Sequence, residues 1–110
     1  MDERRKFLRI SEKIRIGYKI KRGFLRTETR SSDLCPGGIC FSVPQRLGEG
    51  VVLEMTMYLS DSAGSIEALG KVVWTRPASG EHYPFTIGVE FIDMSPEDQK
   101  RIMSLLKTEG

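Results

Sequence analysis

Three arginines near the start of the chain are equipped to hold an anion. Arg4, Arg5 and Arg9 stand in the stretch RRKFLRI, residues 4–10. A guanidinium presents a planar fork of donors that fits phosphate oxygens bidentately and fits O6 and N7 of guanine equally well. About two dozen residues later, SSDLCPGGICF (31–41) supplies Asp33, Cys35 and the pair Gly37 and Gly38. An ionised carboxylate only accepts hydrogen bonds, so Asp33 suits the N1–H and exocyclic amine of a guanine. Glycine, lacking Cβ, reaches backbone conformations closed to other residues and lets a ligand approach the main chain. Arginine plus aspartate is thus a pair able to choose guanine over adenine. Taken singly, each half has a plainer reading: a solvated basic arm, and a tight turn closed by an Asx-type contact.

The rest of the chemical inventory is sparse. The one histidine, His82, falls in a loop bounded by Gly and Pro, with no serine or cysteine nucleophile poised beside it, which argues against nucleophilic catalysis. Cys35 and Cys40 lie five apart with no second Cys/His pair, a spacing that is not a tetrahedral zinc pattern. No paired carboxylates in a suggestive context, no phosphate-binding P-loop and no dinucleotide fingerprint occur. The expectation is a protein that is not an enzyme, with no catalytic residue, no metal and no cofactor.

The charge is unevenly spread. Residues 1–30 hold eleven Lys/Arg against four Asp/Glu, a local net of +7, whereas the other 80 residues net −5. Such asymmetry calls for an anionic partner at the N-terminal end, whether nucleotide, nucleic acid or membrane surface. For Lys13, Arg15 and Lys19 the solvent face of a strand is explanation enough. At 110 residues, 39% hydrophobic and 29% charged, the composition fits one globular domain with one modest core. No apolar run nears the roughly 20 residues that span a bilayer, and no signal-peptide core follows Met1. A cytoplasmic protein without membrane insertion is expected.

Period-two alternation supplies the scaffold that must position these groups. Ile14, Ile16, Tyr18 and Ile20 alternate with Lys13, Arg15, Gly17 and Lys19 in KIRIGYKI (13–20). VVLEMTMYLS (51–60) sets Val51, Leu53, Met55, Met57 and Leu59 on one face, and IEALGKVVWT (66–75) does the same with Ile66, Ala68, Gly70, Val72 and Trp74. FTIGVEF (85–91) aligns Phe85, Ile87, Val89 and Phe91; ICFSV (39–43) is a shorter strand, and FLRTETRS (24–31) a polar one suited to an edge. Turn signals separate all six, at KRG (21–23), CPGG (35–38), PQRLGEG (44–50), SDSAG (60–64) and RPASGEHYP (76–84). Even spacing without intervening helices predicts an all-β, six-stranded antiparallel barrel. The period then changes. SPEDQKRIMSLL offers Ser95 as N-cap, Pro96 at the first helical position and Glu97 and Asp98 in the first turn. A C-terminal helix of about three turns follows, with Ile102, Leu105 and Leu106 on one stripe and Met103 beside it.

In order and in strand context, Arg5-x-x-x-Arg9 followed by Asp33-x-Cys35-x-x-Gly38 resembles the two-part signature of PilZ domains, RxxxR and then [D/N]xSxxG. GKVVWT (70–75) is similar to a late strand of these domains, and IGVEFIDMSPED (87–98) resembles their last strand and the entry to their helix. The resemblance covers the whole chain. It implies a six-stranded PilZ-like β-barrel over residues 13–110 with a C-terminal helix, preceded by a basic arm at 1–12 that carries RxxxR.

The resemblance also implies a function. PilZ domains are bacterial receptors for cyclic di-GMP, in many cases as an intercalated dimer. Arg5 and Arg9 would hold its guanine edges and phosphates with Arg4 as helper, Asp33 would accept from guanine, and Gly38 would allow close backbone approach. The arm, lying outside the strands, would be ordered by ligand and present a new surface to an effector protein in motility, adhesion or exopolysaccharide control. Cys35 stands where the signature has serine, and a thiol is the weaker hydrogen-bonding group. That departure leaves a second reading open, a PilZ-like interaction domain that binds no nucleotide. RNA or DNA is not the expected partner, because Phe7 is the arm's one aromatic and Tyr18 falls in a core phase.

Overall fold

The structure is a computed structural model that describes residues 14–31, 33–59, 64–78 and 83–109. Seven strands and one helix follow in chain order: β1 (Ile14–Ile20), β2 (Thr27–Ser31), β3 (Asp33–Cys35), β4 (Gly38–Val43), β5 (Val52–Tyr58), β6 (Ser65–Pro77), β7 (Phe85–Met94) and α1 (Pro96–Glu109). They form one sheet in the order β2-β1-β5-β6-β7-β4-β3, every neighbouring pair antiparallel.

The sheet curls until its ends meet. Thr29 Oγ1 donates to the Ser42 carbonyl at 2.8 Å, and the hydroxyl of Ser31 donates to the carbonyl of Cys40, so β2 lies along β4. β3 pairs with the beginning of that same edge, Asp33 with Cys40 and Cys35 with Gly38. The seven strands therefore make six staves, β2 and β3 together forming one. This bears out the mostly-β barrel and refines its count. The sequence reading assigned residues 33 and 34 to no strand and put Cys35 in the turn signal CPGG (35–38), because a three-residue strand is too short to display alternation. Its buried residue, Leu34, belongs to the core.

Alternating side chains fill the barrel. Ile14, Ile16 and Tyr18 of β1, Ile39, Phe41 and Val43 of β4, Leu53, Met55 and Met57 of β5, Ile66, Ala68 and Val72 of β6, and Ile87 and Val89 of β7 are all buried. Tyr18 and Phe41 meet with ring centroids 5.4 Å apart. β6 is the longest strand, and two irregularities interrupt its register with β7, between Leu69 and Gly70 and between Val72 and Trp74. Each shifts which face the following residues occupy.

α1 begins as its sequence dictates. The Asp98 amide donates to Ser95 Oγ at 3.1 Å, and the acidic Glu97 and Asp98 occupy the first turn. The helix runs 14 residues, somewhat longer than expected. It docks through buried Ile102 and through Arg101, whose guanidinium donates to the carbonyls of Ser65 at 3.2 Å and Gly64 at 3.0 Å. The helix is thereby tied to the β5–β6 turn and covers that end of the barrel. Among the described residues, no helix is long and apolar enough to cross a membrane.

Candidate functional site

The second half of the motif is built on the β3–β4 hairpin. Cys35 and Gly38 pair across a two-residue turn, Pro36–Gly37, and the Phe91 amide of β7 donates to the Gly37 carbonyl at 3.0 Å. Gly38 opposes Glu90 of β7. A Cβ on Gly38 would lie 2.3 Å from the Val89 carbonyl oxygen, so glycine here lets β4 close upon the main chain of β7. Neither Gly37 nor Gly38 is left-handed; the glycines with positive φ among the described residues are Gly50 and Gly64. The conformational licence read from the sequence is not used at this turn. What the hairpin uses is the missing side chain of Gly38. Cys35 is half-buried, as is Cys40.

A row of paired positions crosses the sheet from this hairpin. Asp33 opposes Cys40, Cys40 opposes Gly88, and Gly88 opposes Trp74. The neighbours Ile39 and Phe41, and Ile87 and Val89, point into the core, so Cys40 and Gly88 lie on the outer face of the barrel. Trp74 joins them there. The sequence reading placed it on the barrel-facing stripe with Gly70 and Val72; the irregularity after Val72 reverses the phase and turns its indole outward. A Cβ on Gly88 would lie 2.2 Å from Trp74 Nε1, so the indole lies flat over a strand position that only glycine leaves open. The Arg76 guanidinium sits 4.4 Å from the centre of the Trp74 ring, a cation–π contact. The outer face beside Asp33 thus carries a half-exposed aromatic surface with a cation upon it. Sequence reasoning missed Trp74 as a surface group. The available signal was Gly88, a glycine inside an otherwise bulky strand, which marks a close approach.

The chain enters the barrel next to this row. Ile14, the first residue of β1, opposes Ser31 at the end of β2, two residues before Asp33, and the Ser31 hydroxyl pins that corner to Cys40. Arg4, Arg5 and Arg9, like His82, lie outside the described residues. Arg9 is five positions before Ile14, and five residues extend at most about 18 Å. Among the described residues, no group of three His, Cys, Asp or Glu side chains could hold a metal ion.

Barrel, terminal helix and hairpin together define a PilZ-type fold. The family model for the PilZ domain matches residues 3–108, and the chain belongs to that family. The match includes the segment with the three arginines. Among solved structures, the chain is similar to the PilZ domain of YcgR from Escherichia coli with c-di-GMP (TM-score 0.70, 16% identity, 97% of this chain and 92% of that one). It is also similar to the inhibitor of motility MotI/DgrA of Bacillus subtilis (TM-score 0.76, 16% identity, 97% of this chain and 51% of that one). A third likeness is to MrkH of K. pneumoniae (TM-score 0.77, 18% identity, 99% of this chain and 49% of that one). The chain spans about half the length of MotI/DgrA and of MrkH. A search of curated proteins gives no match.

Proposed function

We propose that this chain is a receptor domain for cyclic di-GMP, acting without catalysis by altering the surface it offers to an effector protein. One observation carries the reading: the register that opposes Ile14 to Ser31 brings the start of β1 beside the row that begins at Asp33 and ends at Trp74, and Arg9 is five positions before Ile14 in sequence. Membership of the PilZ family supports it, as does the fold shared with the YcgR domain solved with c-di-GMP.

Each residue has a role its chemistry suits. Arg5 and Arg9, aided by Arg4, take the O6 and N7 edges of guanine and the phosphates, and Asp33 accepts from N1–H and the exocyclic amine. Arg76, held over the Trp74 ring, adds positive charge for phosphate. Cys35 supplies a thiol where a hydroxyl would bond more strongly. Gly38 keeps the hairpin against β7, so ligand pressing on Asp33 and Cys35 bears on a strand pair that moves as one unit. The Gly37 carbonyl is bonded to Phe91, and beyond Phe91 lie Met94 and α1. A shift of the hairpin is therefore passed to the β7–α1 junction, which is the surface a partner would read.

The serine-to-cysteine departure favours one rival, a PilZ domain that binds partners without nucleotide. Titration calorimetry at fixed salt separates the two. Bidentate arginine contacts to guanine are worth roughly 1–3 kcal/mol each, so Arg5→Ala and Arg9→Ala each weaken cyclic di-GMP binding by about tenfold or more. Parent-like binding by Arg9→Ala contradicts the site, and no heat from the parent at high micromolar ligand favours the rival.

A further inference from the structure

At the barrel end opposite the β3–β4 hairpin, the β1–β2 connection KRGFLR (residues 21–26) projects two apolar side chains into solvent. Phe24 is 100% exposed and Leu25 75% exposed, with Ile20 beside them at 41%. The segment contains Lys21, Arg22 and Arg26 and no acid. Lys19 at its base is neutralised by Glu54 at 3.0 Å, and Arg26 turns back over Gly17 to donate to the Tyr58 hydroxyl at 3.4 Å, which leaves Lys21 and Arg22 as the exposed cations of the turn.

The loop is held in shape rather than left slack. The Gly23 amide donates to the Ile20 carbonyl at 2.7 Å, closing a four-residue turn, and Lys19 Nζ reaches the Gly23 carbonyl at 3.4 Å. The third residue of that turn, Arg22, has φ of 72°. Glycine or asparagine takes this position readily, and an arginine there is strained. The turn thus carries a cation at its corner at a conformational cost, immediately before a wholly exposed phenylalanine. Strain of this kind concentrates where a segment has work to do.

We infer that this loop adsorbs the domain to an anionic lipid surface, Phe24 and Leu25 entering the headgroup region while Lys21 and Arg22 face the lipid charge. Two features select lipid over a protein partner. A specific protein interface buries roughly 800 Å² on each side around a packed core, whereas the tip is two side chains on a narrow turn. Aromatic and leucine side chains flanked by Lys and Arg are the composition of interfacial segments, in which shallow apolar burial and attraction to acidic lipid act together. Adsorption is peripheral and needs no membrane-crossing element. It stands independently of the nucleotide site, whose described residues lie on β3, β4, β6 and β7.

Co-sedimentation with vesicles tests it, comparing phosphatidylcholine alone with equal parts of phosphatidylcholine and phosphatidylglycerol. The parent pellets with the anionic vesicles, is released by added salt and stays in solution with the neutral ones. Lys21→Glu with Arg22→Glu abolishes pelleting, and Phe24→Ser with Leu25→Ser weakens it by about tenfold or more. All four side chains project from a surface loop, so these variants keep the fold. In a Trp74→Phe background, Phe24→Trp emission shifts to the blue on anionic vesicles. Absence of pelleting by the parent, pelleting indifferent to the loop substitutions, or an unshifted Phe24→Trp spectrum each overturns the inference.

Discussion

At the scale of single residues, the proposed site divides into groups the sequence names outright and one it conceals. Arg5, Arg9 and Asp33 announce themselves because their chemistry is in their side chains and their spacing is linear. Trp74 was concealed by a register shift: alternation from Gly70 through Val72 predicts an inward indole, and only the irregularity after Val72 turns it out over Gly88. Gly38 was legible as a requirement but not as to its cause, since its closest neighbour is the Val89 carbonyl of β7 and sequence does not tell which strand lies beside it. Cys35 yields the prediction proper to this scale. It is half-buried at the start of the hairpin turn, across from Gly38, where a hydroxyl fits the space of the thiol. A neutral hydrogen bond contributes about 0.5–1.5 kcal/mol net, so Cys35→Ser binds cyclic di-GMP equally well or up to about tenfold more tightly. Calorimetric titration of that variant beside the parent reads the difference, and a clear loss of affinity contradicts the role given to position 35.

Among the elements, the strands with sustained alternation were legible and the shortest was not. β1, β5 and the first part of β6 show several inward apolar residues in succession, and such repetition has one structural solution. β3 has three residues, and its neighbours Pro36 and Gly37 read as a turn. Its existence depends on pairing with β4, a tertiary fact. The helix was legible because Ser95, Pro96 and the first-turn acids act locally. At this scale the hairpin is the vulnerable joint. A side chain at Gly38 meets the backbone oxygen of Val89, which cannot step aside as a flexible side chain could. Gly38→Val should cost about 1–3 kcal/mol of stability, the usual penalty of overpacking, read as a lower midpoint in urea. An unchanged midpoint would show that β4 and β7 do not approach as closely as described.

The whole molecule is a barrel whose seam is closed by hydroxyls on one side and capped by a helix at one end. Among the described residues, its core contains one ionisable group of consequence. Burial pushes the phenol of Tyr18 above its ordinary value of 10.0, the hydrogen bond with Thr27 opposes that shift, and Tyr83 nearby adds to it. With the folded pKa raised, the contribution of neutral Tyr18 is fully present below about pH 10. It is lost as pH rises beyond that, because the unfolded chain releases the proton first. Urea midpoints should hold steady between neutrality and about pH 9 and then fall. Tyr18→Phe should flatten that alkaline fall, and an equally steep one in the variant assigns it to other groups.

Guanine-selective binding would need the arm before β1, the β3–β4 hairpin and the outer face of β7 and β6 to act as one clamp. Equilibrium titration of the parent protein with cyclic di-GMP, with cyclic di-AMP and GTP as parallel ligands at the same salt, tests it most directly. Saturable binding of cyclic di-GMP is expected, with cyclic di-AMP at least about tenfold weaker, because adenine lacks the O6 acceptor, the N1–H and the 2-amino group that the arginines and Asp33 would select. Comparable binding of all three ligands would reduce the site to charge attraction, and no binding of cyclic di-GMP would contradict the claim outright.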